Sequence, residues 1–192
     1  MNKYIWVRKG VHLFAFIIPI SYYYFLSKSQ FIVFTGMLVM IAGIIELIRF
    51  KLPKFRQMFL KWVGKIFWEH EEKFITGATT FVLSAFVCGV VFSKPIVVTG
   101  LLFLTFGDTV AYLMGKLGET RIGKRTLYGM FAFFIISIVI VLLVHPEINL
   151  LTGIVGAFVA CIVEAMPWKI DDNLSIPLIS CTIMQILVIF LA

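Results

Sequence analysis

The stretch LYGMFAFFIISIVIVLLV, Leu127–Val144, runs for eighteen residues without a charge, and its reading decides the fold. A helix needs roughly 17–25 apolar residues, each rising about 1.5 Å, to cross the hydrocarbon layer of a bilayer. Working outward, six further stretches qualify or nearly so, at about 11–26, 31–48, 74–92, 96–114, 150–166 and 174–192. Short polar turns at 27–30, 93–95 and 145–149 separate three pairs of them. Of the 192 residues 61% are hydrophobic, against about 45–50% in an ordinary soluble domain. The mean hydropathy of +1.03 says the same. The expectation is an all-α integral membrane protein of about seven transmembrane helices. Residues 1–192 form one transmembrane catalytic domain, without room for a separate soluble unit. The first run follows Lys3, Arg8 and Lys9 like a signal peptide, but no small-residue cleavage pattern closes it, so it is read as a retained helix.

Charge then orients the chain. If the N-terminus faces the cytoplasm, 15 of the 17 Lys and Arg lie on that side, leaving only Lys28 and Lys94 opposite. The positive-inside rule is met at every loop, which gives an N-in, C-out topology. The net charge of +7 fits anionic lipid headgroups or an anionic substrate, and not nucleic acid. Within 51–73, Phe55, Met58, Phe59, Trp62, Ile66 and Phe67 recur at helical spacing, with Lys54, Lys61 and Lys65 at other positions. Such a segment is expected as a basic amphipathic helix in the interface plane, as an anchor or as a gate for a lipid entering sideways. Cys88, Cys161 and Cys181 sit in apolar runs without metal-ligand spacing and read as small hydrophobes.

Nine of the ten acidic residues fall on the expected cytoplasmic side or near the helix ends there; Glu147 is the exception. Ionisable groups in membrane segments are functional candidates by default. Asp108, in TFGDTVAYLMGKLG, lies about 9–10 Å inside its helix end at 1.5 Å per residue. Ala111, Gly115 and Gly118 share its helical face and leave room for a partner helix or a ligand; on a purely structural reading Asp108 instead pairs with a Lys or Arg across the bundle. The basic loop 115–129 comes next, with Arg121, Gly123, Lys124, Arg125, Thr126 and Gly129. Its glycines and the helix start suit an anion such as a polyphosphate. A P-loop fails, because Arg125 stands where Ser or Thr is needed and no strand precedes. Asp171, Asp172 and Asn173 open the last helix and, with Glu164, offer oxygen ligands for Mg²⁺. One of the three is expected to serve as a helix cap. His12 comes a turn after Arg8, Thr76, Gly77, Thr79 and Thr80 open the helix of 74–92, and Glu46 and Arg49 are spaced to pair with each other.

These motifs together resemble the CTP-dependent lipid kinase family, which includes dolichol kinase, phytol kinase and the fungal CTP-dependent diacylglycerol kinase. The resemblance rests on G-D-x-x-A-x-x-x-G-x-x-G from Gly107 to Gly118, K-x-T-L-x-G from Lys124 to Gly129, and E-x-x-P with D-D-N-L-x-x-P from Glu164 to Pro177. The R-K-x-x-H of Arg8, Lys9 and His12 and the E-x-x-R of Glu46 and Arg49 fit as well, so it covers nearly the whole chain. It implies transfer of the CTP γ-phosphate to a lipid alcohol, with polyprenol or dolichol ahead of phytol or diacylglycerol. On that basis Asp108, Asp172 and Lys124 are the expected catalytic residues, and Asp108 is the choice of base. Arg8, Lys9, His12, Gly107, Gly115, Gly118, Arg121, Arg125, Thr126 and Gly129 are expected at the nucleotide phosphates. Asp108, Asp171, Asp172, Asn173 and Glu164 are expected at Mg²⁺.

A cytidylyltransferase that makes a CDP-lipid shares the membrane, CTP and Mg²⁺, and stays open as the alternative, although its C-terminal signature is absent. The pattern of the CDP-alcohol phosphotransferases is absent too. A transporter fits less well, since the polar groups gather at one face without internal repeats. The compact chain suits a prokaryotic plasma membrane, or the endoplasmic reticulum of a eukaryote, with the active site on the cytoplasmic face. The oligomeric state is open.

Overall fold

The structure is a computed structural model that describes residues 3–63, 74–145 and 147–191. Among them, regular structure is helical apart from one hairpin of two two-residue strands. The first apolar run is two helices, α1 (Lys3–Phe14) and α2 (Ile17–Phe25), and not one span from 11 to 26. Pro19 explains the break. It has no N–H to give to the Ala15 carbonyl, and its ring crowds that group. The Ala15 carbonyl instead takes the Ile18 N–H at 3.1 Å, which tightens the turn.

Helix α3 (Lys28–Lys51) begins with a reciprocal cap in which Ser27 and Gln30 satisfy each other's backbone N–H groups. A stacked Tyr22–Phe31 pair, with ring centroids 3.8 Å apart, ties α2 to the start of α3. Helix α4 (Pro53–Val63) covers part of the expected interfacial segment; its Phe55 and Phe59 rings stack at 6.1 Å, with Lys54 and Lys61 exposed. Lys65, Ile66 and Phe67 lie outside the described residues.

Helix α5 (Gly77–Val91) is capped by Thr76 and packs against α3. Next comes the central run Lys94–Leu117: α6 (Lys94–Leu102), one π-helical turn (Phe103–Gly107), α7 (Asp108–Met114) and a 3₁₀ turn (Gly115–Leu117). Every residue from Ile96 to Thr105 is buried, so this helix sees protein and not lipid. Strands β1 (Arg121–Ile122) and β2 (Arg125–Thr126) then form the hairpin, with Arg121 opposite Thr126. Gly123 takes φ +62° at its tip and packs on the Ala165 carbonyl, so a side chain there meets both backbone strain and a clash. Helix α8 (Leu127–Val144) has the bounds read from the sequence, because Thr126 caps its start. Helices α9 (Leu150–Ala165) and α10 (Asp172–Leu191) complete the bundle, α9 packing on α8 and α10 on α5, α6 and α9.

Among the described residues four helices are long and apolar enough to cross a membrane: Lys28–Lys51, Lys94–Leu117, Leu127–Val144 and Asp172–Leu191. This is the make-up of an all-α membrane protein. Helices α5 and α9 are apolar but only 15 and 16 residues long. They rise about 22–24 Å against a hydrocarbon layer of roughly 30 Å. Large apolar side chains face outward, Phe190 at 81% exposure and Leu143 at 75%, as expected where lipid is the solvent.

Candidate active site

The site begins with the π turn. A residue inserted into the α-helical ladder shifts the register of the next turn, and such insertions often occur where a side chain is re-aimed for function. Here the π turn immediately precedes Asp108, whose side chain is buried. The Asp108 backbone N–H reaches the Leu104 carbonyl, and His12 Nε2 lies 3.4 Å from the same oxygen.

Asp108 is surrounded by cations. Lys9 Nζ donates to its Oδ2 at 2.5 Å, with His12 Nε2 3.4 Å away. Arg125 Nη2 donates to its Oδ1 at 2.8 Å. Lys9 also lies over the Tyr112 ring at 5.0 Å, which Lys116 approaches at 4.4 Å. Thus α1, α7 and the hairpin meet at one carboxylate.

Arg125 is the hub of a larger cluster. Its Nε is in ion-pair contact with Glu164 of α9, and its Nη2 is 3.6 Å from Asp172 Oδ2 at the start of α10. Burial disfavours the guanidinium charge, but Glu164, Asp108 and Asp172 outweigh it and push the pKa up, so Arg125 stays charged. Lys124 Nζ meets Asp172 Oδ1 at 2.5 Å, while its backbone N–H holds the Ala165 carbonyl at 3.0 Å. The hairpin is therefore fastened to the ends of both α9 and α10. The planar guanidinium suits this place, since its fixed fork of donors can serve several carboxylates where an ammonium acts as one point.

The structure separates other expected site residues from this cluster. Asp171 Oδ1 accepts from the Asn173 backbone N–H and Nδ2, both at 2.9 Å, which caps α10; its Oδ2 accepts from Thr80 of α5 at 2.9 Å. Thr126 Oγ1 accepts the Gly129 N–H at 3.3 Å and donates to the Gly115 carbonyl at 3.0 Å, so its hydroxyl locks α7 against α8. Gly129 permits the same approach, since a Cβ there would stand 2.8 Å from the Ala111 carbonyl. Gly107 packs on the Phe133 ring and Gly118 on Tyr128. Arg121 is exposed on β1, and Arg8 lines a cleft beside His12.

Glu46 and Arg49 belong to a second network. Arg49, fully buried, donates from Nε at 2.8 Å and from Nη2 at 2.5 Å to Glu46 Oε2. Glu46 Oε1 accepts the Thr76 N–H at 2.8 Å and the Thr79 hydroxyl at 3.1 Å. Arg49 also reaches the Phe74 carbonyl at 2.5 Å, so the pair clasps α3 to the start of α5.

For a divalent cation, the telling feature is Glu164. It is fully buried; its Oε1 is ion-paired to Arg125 Nε, and its Oε2 has no donor among the described residues. A buried carboxylate oxygen without a donor, beside Asp108 and Asp172 on one guanidinium, fits a hard oxygen-seeking ion. No three His, Cys, Asp or Glu side chains form a ready cage among the described residues. Mg²⁺ does not require one, since it keeps waters and shares substrate phosphates with one or two carboxylates.

Comparison with known proteins finds distant relatives. A CTP-dependent diacylglycerol kinase 1 of Schizosaccharomyces pombe (strain 972 / ATCC 24843) is 26% identical over 165 residues, covering 74% of this chain and 74% of that protein. An uncharacterized protein of Rickettsia prowazekii (strain Madrid E) is 28% identical over 184 residues, covering 91% of this chain and 90% of the relative. No family model matches the chain. No solved structure does either.

Proposed function

We propose that this chain is a CTP-dependent kinase that transfers the γ-phosphate of CTP to the hydroxyl of a membrane lipid alcohol. The observation that carries the reading is the gathering of Asp108, Glu164 and Asp172, from three helices, on Arg125. The distant similarity to a CTP-dependent diacylglycerol kinase supports the same class of reaction. A polyprenol or dolichol is the proposed acceptor, ahead of phytol or diacylglycerol.

Phosphoryl transfer asks a protein for positioning and charge neutralisation more than for covalent help. Lys9, Lys124 and Arg125 are cations already held in place by carboxylates. An arriving triphosphate competes for them, and each cation that turns to phosphate releases a carboxylate oxygen. Released from Lys9, Asp108 Oδ2 accepts a hydrogen bond from the lipid hydroxyl and orients it. The hydroxyl oxygen then bonds to the γ-phosphorus as the bond from phosphorus to the β–γ bridging oxygen breaks. CDP leaves, and the hydroxyl proton passes to Asp108. Asp108, Asp172 and Glu164 would hold Mg²⁺, which when bound would neutralise part of the phosphate charge.

On the same reading the chain crosses the membrane seven times, with the α1–α2 pair counted as the first crossing and the shorter α5 and α9 included. The N-terminus and the Arg125 cluster face the cytoplasm, and α4 rests on anionic headgroups. The test is transfer of label from CTP in vesicles that hold polyprenol, phytol or diacylglycerol. Label from the γ position in a lipid alcohol is expected. Label from the α position in a lipid phosphate, with none from γ, would replace the kinase with a CDP-lipid synthase.

A further inference from the structure

A cleft of about 240 Å³ lies between α1 and the start of α5, on the flank of the ionic cluster. Its lining is of two kinds. Arg8, His12 and Asn173 supply polar groups, while Ala15, Ile18, Phe81 and Val82 supply apolar ones. Phe81 is fixed edge-on to the His12 ring, with centroids 6.5 Å apart. His12 in turn lies 3.4 Å from Asp108 Oδ2, so the cleft adjoins the carboxylate of the cluster at His12. The break between α1 and α2 contributes, because Ala15 and Ile18 lie at that turn and still line the cleft.

We infer that this cleft receives the lipid alcohol, its first chain carbons along Ala15, Ile18, Phe81 and Val82 and its hydroxyl at His12 beside Asp108. The inference rests on the proposed kinase and adds the route by which the acceptor enters. The cleft is smaller than the roughly 300–1,000 Å³ of pockets that enclose a drug-sized ligand. It fits a segment of chain and a hydroxyl, not a nucleoside triphosphate. Nucleotide and lipid then approach Asp108 from different sides, the nucleotide over the hairpin cations and the lipid between α1 and α5. The entrance lies beside α1. Small residues serve the entry: Gly77 and Ala78 also line the cleft where α5 begins. His12, expected from the resemblance at the nucleotide phosphates, on this inference contacts the acceptor hydroxyl instead and helps to aim it at Asp108.

The test is photolabelling of the full chain in vesicles with a long-chain alcohol that carries a diazirine near its hydroxyl end. Label on Ala15, Ile18 or Val82, reduced by excess unlabelled alcohol, is expected. Label spread over the outer face of α3, at Met37 and Met40, and untouched by competitor would overturn the inference. Val82→Trp and Ala78→Trp fill the cleft and should weaken the competed label. Each should also raise the KM for the lipid roughly tenfold or more, leaving the KM for CTP unchanged. An unchanged lipid KM in both folded variants would overturn it as well. The two readings fail separately. Transfer without label in the cleft removes this inference and keeps the kinase, whereas competed label without transfer from CTP to any alcohol removes the kinase and keeps the cleft.

Discussion

Arg125 Nη2 stands 2.8 Å from Asp108 Oδ1, joining the hairpin to the one carboxylate that the central helix buries beside its π turn. The same guanidinium reaches Glu164 and Asp172, so one side chain controls the charge of three. Arg125→Lys keeps the charge and loses the fork. Transfer is expected to fall by roughly 10²–10³-fold in the folded protein, as for other losses of a preorganised donor. Steady-state rates beside a thermal melt in detergent check this; near wild-type turnover would show that a point charge suffices.

Lys124 and Asp172 form one unit through their 2.5 Å contact. Lys124→Ala and Asp172→Asn should each reduce transfer strongly, and the double variant should lose much less than the product of the two. A double-mutant cycle measures the coupling directly. Full additivity would place the two residues in separate roles.

The Glu46–Arg49 clasp predicts the opposite pattern. Arg49→Ala leaves a buried glutamate without its partner, which is expected to destabilise the protein by about 3–5 kcal/mol. The KM for CTP should stay unchanged at temperatures where the variant is folded. Melting and kinetics on the same sample separate the two effects, and a large KM change would bring the clasp into the nucleotide site.

Gly129→Ala drives a methyl group toward the Ala111 carbonyl, 2.8 Å away before any shift. Overpacking of this kind costs about 1–3 kcal/mol. It should also push α7 away from α8 and so disturb Asp108, which predicts a lower melting point together with lower turnover. Activity unchanged despite the lower melting point would mean that the α7–α8 approach is structural alone.

Topology has its own test. Single cysteines in place of Glu119 and Lys94, in a chain with its three native cysteines replaced, should react with an impermeant thiol reagent from opposite sides of a sealed vesicle. Reaction from the same side would contradict the N-in, C-out reading.

Much of this was legible in the sequence, and the remainder shows where pattern reading stops. The helix Leu127–Val144 was readable because an uninterrupted apolar run starts right after a capping threonine. Candidate site residues were readable as types, since a carboxylate inside an apolar helix and a glycine-rich basic loop stand out against such a background. Partner choice was not. Lys9 and Asp108 are 99 residues apart, and only the packing of α1 beside the π turn brings them together. The π turn itself leaves no hydropathy signal, because Phe103 and Leu104 fit an ordinary helix equally well. Asp171 and Asp172 look alike as neighbours, yet one lies before the helix and caps it while the other begins the helix and meets Lys124. Pro19 carried the signal for the α1–α2 break, but the length of the apolar run masked it.

The most direct test of the central claim is single-turnover transfer from γ-labelled CTP to the acceptor lipid by Asp108→Asn, with CTP binding measured on the same preparation. The account predicts that the variant still binds CTP and that transfer falls by roughly 10²–10⁴-fold, the usual weight of a positioned general base. Transfer at the wild-type rate by a folded, CTP-binding Asp108→Asn protein would contradict it.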